Sequence, residues 1–244
     1  MDPKQWDRVA NNYNEEILSP ILDSINNPLL KDLDEIKDKK EKTVAEFGCG
    51  KFLLAEKLSK FRKVHASDFS EEMVRIARNR NKYPNIGIKN EDITKIRHKN
   101  KFDIALSINS VIMPDLEDIK KSFSNIYNSL KKEGVLFLIV PSMESVLKHG
   151  FLLLNEETKK GKKNAVKKAK QRFEKEKYDL FLGHYTDRGD KQKFYYEHEI
   201  EFLLTKAGFQ NIVIRKVHYP WHAHDYDSFP KEEKIFDWYV KARK

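Results

Sequence analysis

The 244-residue chain is 39% hydrophobic and 35% charged with a formal net charge of +9, a balance that fits one sizeable α/β core and no collagenous or disordered class. No run of about 18 apolar residues predicts a membrane-spanning helix, and the N-terminus has no apolar signal-peptide core. A single cysteine, Cys49, excludes an internal disulfide and fits a reducing, cytoplasmic setting.

Residues 1–40 read as an N-terminal helical cap: Trp6, Val9, Ala10 and Tyr13 recur at helical spacing, and Ile17, Leu18, Ile21, Leu22 and Ile25 continue around Pro20. Thr43-Val44-Ala45-Glu46-Phe47 then predicts a strand, Gly48-Cys49-Gly50 a tight turn, and Leu53, Leu54, Lys57 and Leu58 a helix. Glycine at 48 and 50 permits φ > 0 and keeps Cβ atoms out of a ligand's way. Free amides at a helix start favour polar or anionic ligand groups. A dinucleotide site wants a third small residue three places after Gly50, and that place is Leu53, so the dinucleotide fingerprint fails.

Val64-His65-Ala66-Ser67-Asp68 predicts a second strand ending in an acid. Asp68 lies eighteen residues after Gly50, near the spacing at which a carboxylate accepts both ribose hydroxyls. Ser70 is placed to cap the next helix, with Glu71 and Glu72 in its first turn. Strands follow at 86–89, 102–108, 135–141 and 212–217, with a last one at 235–243; helical patterns lie at 118–130 and 202–207. Residues 142–193 break this rhythm. Within them, Glu156–Lys177 holds ten Lys/Arg against four Glu, which is six of the nine net charges. That segment reads foremost as a solvated helix face.

Glu46-Phe47-Gly48-Cys49-Gly50-Lys51-Phe52 resembles the first motif of the Rossmann-like, class I S-adenosylmethionine-dependent methyltransferases, acidic-x-G-x-G-x-G, except that Phe52 stands in the last glycine's place. Asp68-Phe69-Ser70-Glu71-Glu72-Met73 is similar to their second motif, and Leu130-Lys131-Lys132-Glu133-Gly134-Val135-Leu136 and the Asp237–Lys244 ending resemble further features of the small-molecule enzymes. The likeness covers about 40–140 and 194–244. It implies an α/β fold: a doubly wound, mostly parallel seven-stranded Rossmann-like sheet with helices on both faces, N-terminal helices, and a helical lid inserted after strand 5. The implied divisions are a cap (1–40), a cofactor-binding core (41–141 and 194–244) and a lid (142–193). The implied cofactor is S-adenosyl-L-methionine. Glu46, Gly48 and Gly50 would hold its methionine part, Asp68 the ribose, and Phe69, Asp92 and Ile93 the adenine. Ser107 and Asn109 would face the methionine part and the acceptor, and Tyr13 would lie in the segment folded over the cofactor.

Methyl transfer needs a nucleophile held in line with the methyl group, and a base where that nucleophile carries a proton. No metal is expected. A cytosine-C5 enzyme would need a cysteine nucleophile, but Cys49 sits in the glycine turn. Enzymes acting on exocyclic base amines carry Asn/Asp-Pro-Pro-aromatic where this chain has Ser107-Ile108-Asn109-Ser110. The candidate bases are His222 and His224. Trp221, Tyr219 and Tyr226 beside them, with His184 and Tyr185 in the lid, are candidate acceptor contacts. The expected function is methyl transfer to a small molecule. The alternatives are an RNA (tRNA or rRNA) methyltransferase using the basic 159–177 segment as a phosphate-contacting arm, and a non-catalytic S-adenosylmethionine-binding protein, which Phe52 favours.

Overall fold

A computed structural model describes residues 6–7, 10, 19–21, 25–161, 163–175, 177–187, 189–219 and 235–244. Tyr13, Trp221, His222, His224 and Tyr226 therefore lie outside the described residues. After α1 (Pro28–Glu35), which Asn27 caps through Leu29 N–H, the chain enters β1 (Thr43–Phe47) and a short α2 (Ala55–Leu58). It continues through β2 (Lys63–Asp68), α3 (Glu71–Arg80), β3 (Ile86–Asn90), β4 (Phe102–Ile108), α4 (Leu116–Ser129) and β5 (Leu130–Pro141). Then come α5 (Met143–Lys159), α6 (Ala165–Phe173), β6 (Tyr178–Asp179), β7 (His184–Asp187) and β8 (Asp190–Lys193). The chain ends with α7 (Glu197–Ala207), β9 (Gln210–His218) and β10 (Phe236–Arg243).

Seven strands form one sheet in the order β3-β2-β1-β4-β5-β10-β9. The first five run parallel, and β10 is antiparallel to both neighbours. Parallel strands covered on both faces must be apolar on both, and β4 and β5 are. Two cores result. Ala45, Phe47, Phe123 and Leu136 belong to one; Val44, Leu58, Ile104 and Phe137 belong to the other. The chain steps outward from β1 to β2 and β3, then returns to place β4 on β1's other side. Ligands bind open α/β sheets at such a switch point, beyond the carboxyl ends of the strands.

Two elements depart from the sequence reading. The helix expected from Leu53 is a single turn, because Phe52 takes φ +57 and its N–H closes a turn onto Cys49 O at 2.8 Å. The insertion after β5 is not helical throughout: β6, β7 and β8 form an antiparallel sheet of their own. Its strands are two to four residues long, too short for alternation to register. The helices α5 and α6 cross closely at Gly150, where a Cβ would come within 3.2 Å of the Phe173 ring. Arg172 ties them by pairing with Glu156 and Glu157, both at 3.0 Å. The insertion is pinned to the β4–α4 loop by Lys193 N–H donating to Ile112 O at 2.8 Å and by the His184 ring donating to Pro114 O at 3.2 Å.

Candidate active site

The glycine turn leaves β1 at the switch point and opens a cavity of about 870 Å³, whose wall includes Gly48, Gly50, Asp68, Phe69, Asp92 and Ile93. Each glycine is required for a different reason. Gly48 has φ +73, and a Cβ there would lie 2.1 Å from Ser110 Cβ. Ser110 occupies that space because its hydroxyl donates to Phe47 O at 2.9 Å and meets Ser107 Oγ at 2.6 Å. Gly50 has φ +50 and nothing within 4 Å of a built Cβ, so it leaves open space against which a ligand can lie.

Asp68 is the hinge of this wall. One carboxylate oxygen accepts Gly50 N–H at 2.8 Å and the other accepts Ser70 N–H at 3.0 Å. Burial raises its pKa, opposed by those backbone donors. Ser70 caps α3 by accepting Met73 N–H and donates its own hydroxyl to Asp7 at 2.5 Å. The N-terminal segment is thereby tied to the cavity rim, where Trp6 also lies. Burial pushes Asp92 upward, yet hydrogen bonds from Thr94 and Lys95 leave its carboxyl below the ordinary range.

Glu46 lies beneath the turn, fully enclosed. Burial, with the neighbouring Asp68 charge, pushes its pKa up to about 8, and one of its oxygens has no hydrogen-bond partner. A buried carboxyl without a partner is costly. A cationic ammonium lying along the glycine turn would compensate it. The open face of Gly50, the carboxylate of Asp68 and the unsatisfied Glu46 oxygen are the features an amino-acid-linked nucleoside would use, so these residues fit S-adenosylmethionine.

Beside Asp92, Glu91 also reaches the cavity wall. Its Oε2 accepts from His65 at 2.6 Å and from His98 at 3.3 Å, inside a box of Phe47 and Phe102. Burial holds the His65 imidazole below its usual pKa. The three ligating atoms lie within 4.8 Å of one another, a grouping that sequence distance hides.

A second cavity, about 930 Å³, lies between β5, the insertion and β10, with Asn109, His149, Tyr178, Tyr185, Tyr219 and Asp237 in its wall. Asn109 lines both cavities. It takes φ +47 at the end of β4 and donates its side-chain amide to Asp237 Oδ2 at 3.1 Å. Tyr219 donates its hydroxyl to the same oxygen at 2.6 Å, and Ser142 N–H also bonds this carboxyl. Burial nevertheless pushes the Asp237 pKa up to about 6.

The structure thus gathers Gly48, Gly50, Asp68, Phe69, Asp92, Ile93 and Asn109 around one cavity, with Glu46 beneath it. Ser107 is not in that wall: it is fully buried one shell back, where its hydroxyl supports Ser110. In the insertion, alternation along β7 separates the two candidates. Tyr185 enters the second cavity, whereas His184 turns to Pro114 O and is not part of that wall. Asp237, His149 and Tyr178 were not singled out from sequence. Asp237 enters the sequence reading only through the terminal strand and its family-like ending, and nothing local marks it as an acid that lines a cavity.

Residues 44–134 match the family described as a methyltransferase domain. A malonyl-[acyl-carrier protein] O-methyltransferase of Bacillus cereus is 32% identical over 96 residues, 38% of this chain and 35% of that relative. The match thus spans about a third of the relative's length. The structure of a SAM-dependent methyltransferase from Methanosarcina mazei superimposes with a TM-score of 0.64 at 18% identity, covering 89% of this chain and 97% of that one. A Listeria monocytogenes S-adenosylmethionine-dependent methyltransferase structure gives 0.61 at 18% identity, covering 88% and 96%. These likenesses to solved structures establish the fold. The matched stretch contains the glycine turn, Asp68 and Asp92 of the first cavity's wall.

Proposed function

We propose that the chain methylates a small-molecule acceptor held in the second cavity. One observation carries this reading: Asn109 lines both cavities, so donor and acceptor spaces meet at the end of β4. When bound, S-adenosylmethionine supplies an electrophilic methyl group on a sulfonium. The chain's own residues then mainly bind, orient and exclude water. We assign Glu46 and the Gly48–Gly50 turn to the methionine part, Asp68 to the ribose hydroxyls, and Phe69, Asp92 and Ile93 to adenine. The insertion 142–193 is read as a lid that closes the acceptor space, and 1–40 as a cap over the cofactor. An acceptor space walled on one side by the insertion suits a compact molecule better than a polynucleotide.

The test is transfer of labelled methyl from S-adenosylmethionine into fractionated cell extract, with Asp68→Ala as control. Asp68-dependent label in the low-molecular-weight fraction is the expected result. Label confined to RNA would overturn it in favour of an RNA substrate held by the basic 159–177 segment. Cofactor binding without label in any fraction would favour a non-catalytic role.

A further inference from the structure

Among the described residues, the second cavity's wall holds one carboxylate, Asp237, and one imidazole, His149, and no lysine or arginine. All three groups bonded to that carboxyl are neutral: the Tyr219 hydroxyl, the Asn109 amide and the Ser142 backbone N–H. No described cation pairs with Asp237. A half-buried carboxylate held by neutral donors alone retains an uncompensated charge, and a cationic partner in the cavity would be stabilised there. Lys216 is no such partner; its ammonium lies over Phe236 at 4.3 Å and over Trp238 at 5.6 Å, outside the lining.

Aromatic rings of the insertion and of Phe194 just after it line the same cavity as Asp237. Tyr178 and Tyr185 have centroids 5.0 Å apart, Tyr185 and Phe194 5.6 Å, and Tyr178 and Phe194 6.2 Å. All three line the same cavity. Clustered aromatic rings sharing a cavity with a carboxylate are the chemistry that recognises an organic ammonium group. The same wall opposes a carboxylate acceptor: Asp237 would repel it, and no guanidinium or ammonium among the lining residues would receive it.

We propose that the acceptor is a small primary or secondary amine with an apolar or aromatic body, bound at Asp237 with that body among Tyr178, Tyr185 and Phe194. This rests on the methyltransferase reading above. It differs from the acceptor class named by the B. cereus relative, a malonyl group. Asp237 lies one hydrogen bond, through Asn109, from the cofactor cavity, so an amine nitrogen on Asp237 sits at the junction of the two spaces. The ammonium gives one N–H proton to the Asp237 carboxylate and so exposes its lone pair. That pair forms the new N–C bond as the C–S bond breaks, its electrons remaining on sulfur. The product leaves as the methylated ammonium, and Asp237 returns its proton to water. A carboxyl whose proton affinity burial has raised is suited to hold that proton briefly.

The test uses three probes sharing one aromatic body: phenethylamine, 3-phenylpropionate and p-cresol. Binding to the full chain is measured calorimetrically with saturating S-adenosylhomocysteine, and transfer with labelled S-adenosylmethionine. Phenethylamine is expected to bind at least tenfold tighter than either competitor and to be the probe labelled. Asp237→Asn should weaken phenethylamine about 30-fold, the worth of one charge-assisted contact, while leaving S-adenosylhomocysteine affinity within about twofold. Should Asp237→Asn fail to fold, Tyr185→Leu replaces it, with about a fivefold loss expected for the amine alone, the worth of a single cation–π contact. Preference for the carboxylate or phenol, no binding of any probe, or unchanged amine affinity in both variants overturns the proposal. If S-adenosylhomocysteine and S-adenosylmethionine themselves do not bind, the methyltransferase reading fails, and with it this one.

Discussion

The two cavities that share Asn109 are built on opposite plans. The first is assembled mainly between β1 and the start of α4, from turns that immediately follow parallel strands; its wall offers backbone amides and acids at strand ends. The second draws on β5, the insertion, β9 and β10, and its one carboxylate comes from a strand about a hundred residues further along the chain than Pro141, with which it pairs. The first was legible as a motif. The second exists only because a long insertion folds back onto a sheet edge. On the proposed reading the first is the donor half and the second the acceptor half, and only the donor half is set by local backbone geometry.

The strongest way to break the donor half alone is Gly48→Ala. Its Cβ would overlap Ser110 in a backbone region that alanine resists, and the expected cost is at least about 3 kcal/mol, read from urea unfolding. Asp68→Asn comes next. It should weaken S-adenosylhomocysteine binding by about 10- to 100-fold in calorimetry through loss of a charge-assisted contact. Amine contacts in the second cavity should survive in this variant, and equal damage to both cavities would refute the division into halves. Phe52→Gly probes the departure from the family's motif. The side chain is buried in the core at positive φ. Losing it costs about 3–5 kcal/mol and relieving the strained backbone returns about 1–3, so net destabilisation of about 2 kcal/mol is expected.

Titration separates the two halves by pH. Glu46 has its folded pKa raised from 4.5 to about 8. The protonated fold is therefore favoured, and this stabilisation, complete below about 4.5, is lost as pH rises through about 8. Glu46→Gln should thus raise the melting temperature of the cofactor-free protein more at pH 9 than at pH 6. For Asp237, raised from 3.8 to about 6, the corresponding loss is complete at lower pH, so the effect of Asp237→Asn on melting should grow between about pH 4 and 7 and stay constant above that. A Glu46→Gln effect that is flat with pH would show that carboxyl to be partnered. The smallest effect is expected from the triple change of Lys167, Lys168 and Lys170 to Gln on exposed α6. Small-molecule transfer should stay within about twofold, because exposed charges contribute little to a closed site; a large drop in transfer would restore the RNA alternative.

The amino-acid sequence by itself determined the sheet and the donor side. A β-branched strand running into Gly48 and Gly50, and a strand ending in Asp68 ahead of Ser70, state their conformations through local sterics and capping, which act over a few residues. Even there, alternation and burial were beyond local reading: Ser107 and Asn109 are two residues apart, yet one supports Ser110 from behind and the other enters both cavities. Phe52 in an αL place could be read only as a departure, until its φ of +57 showed that the chain keeps the glycine conformation without the glycine. Only the tertiary structure decided the acceptor side. Asp237 becomes a half-buried acid because β10 pairs with β5 and brings it against Ser142 and Asn109. Tyr178, Tyr185 and Phe194 become one wall because a small sheet packs there. Such contacts are set by chain closure over long separations, which no local pattern of residues encodes.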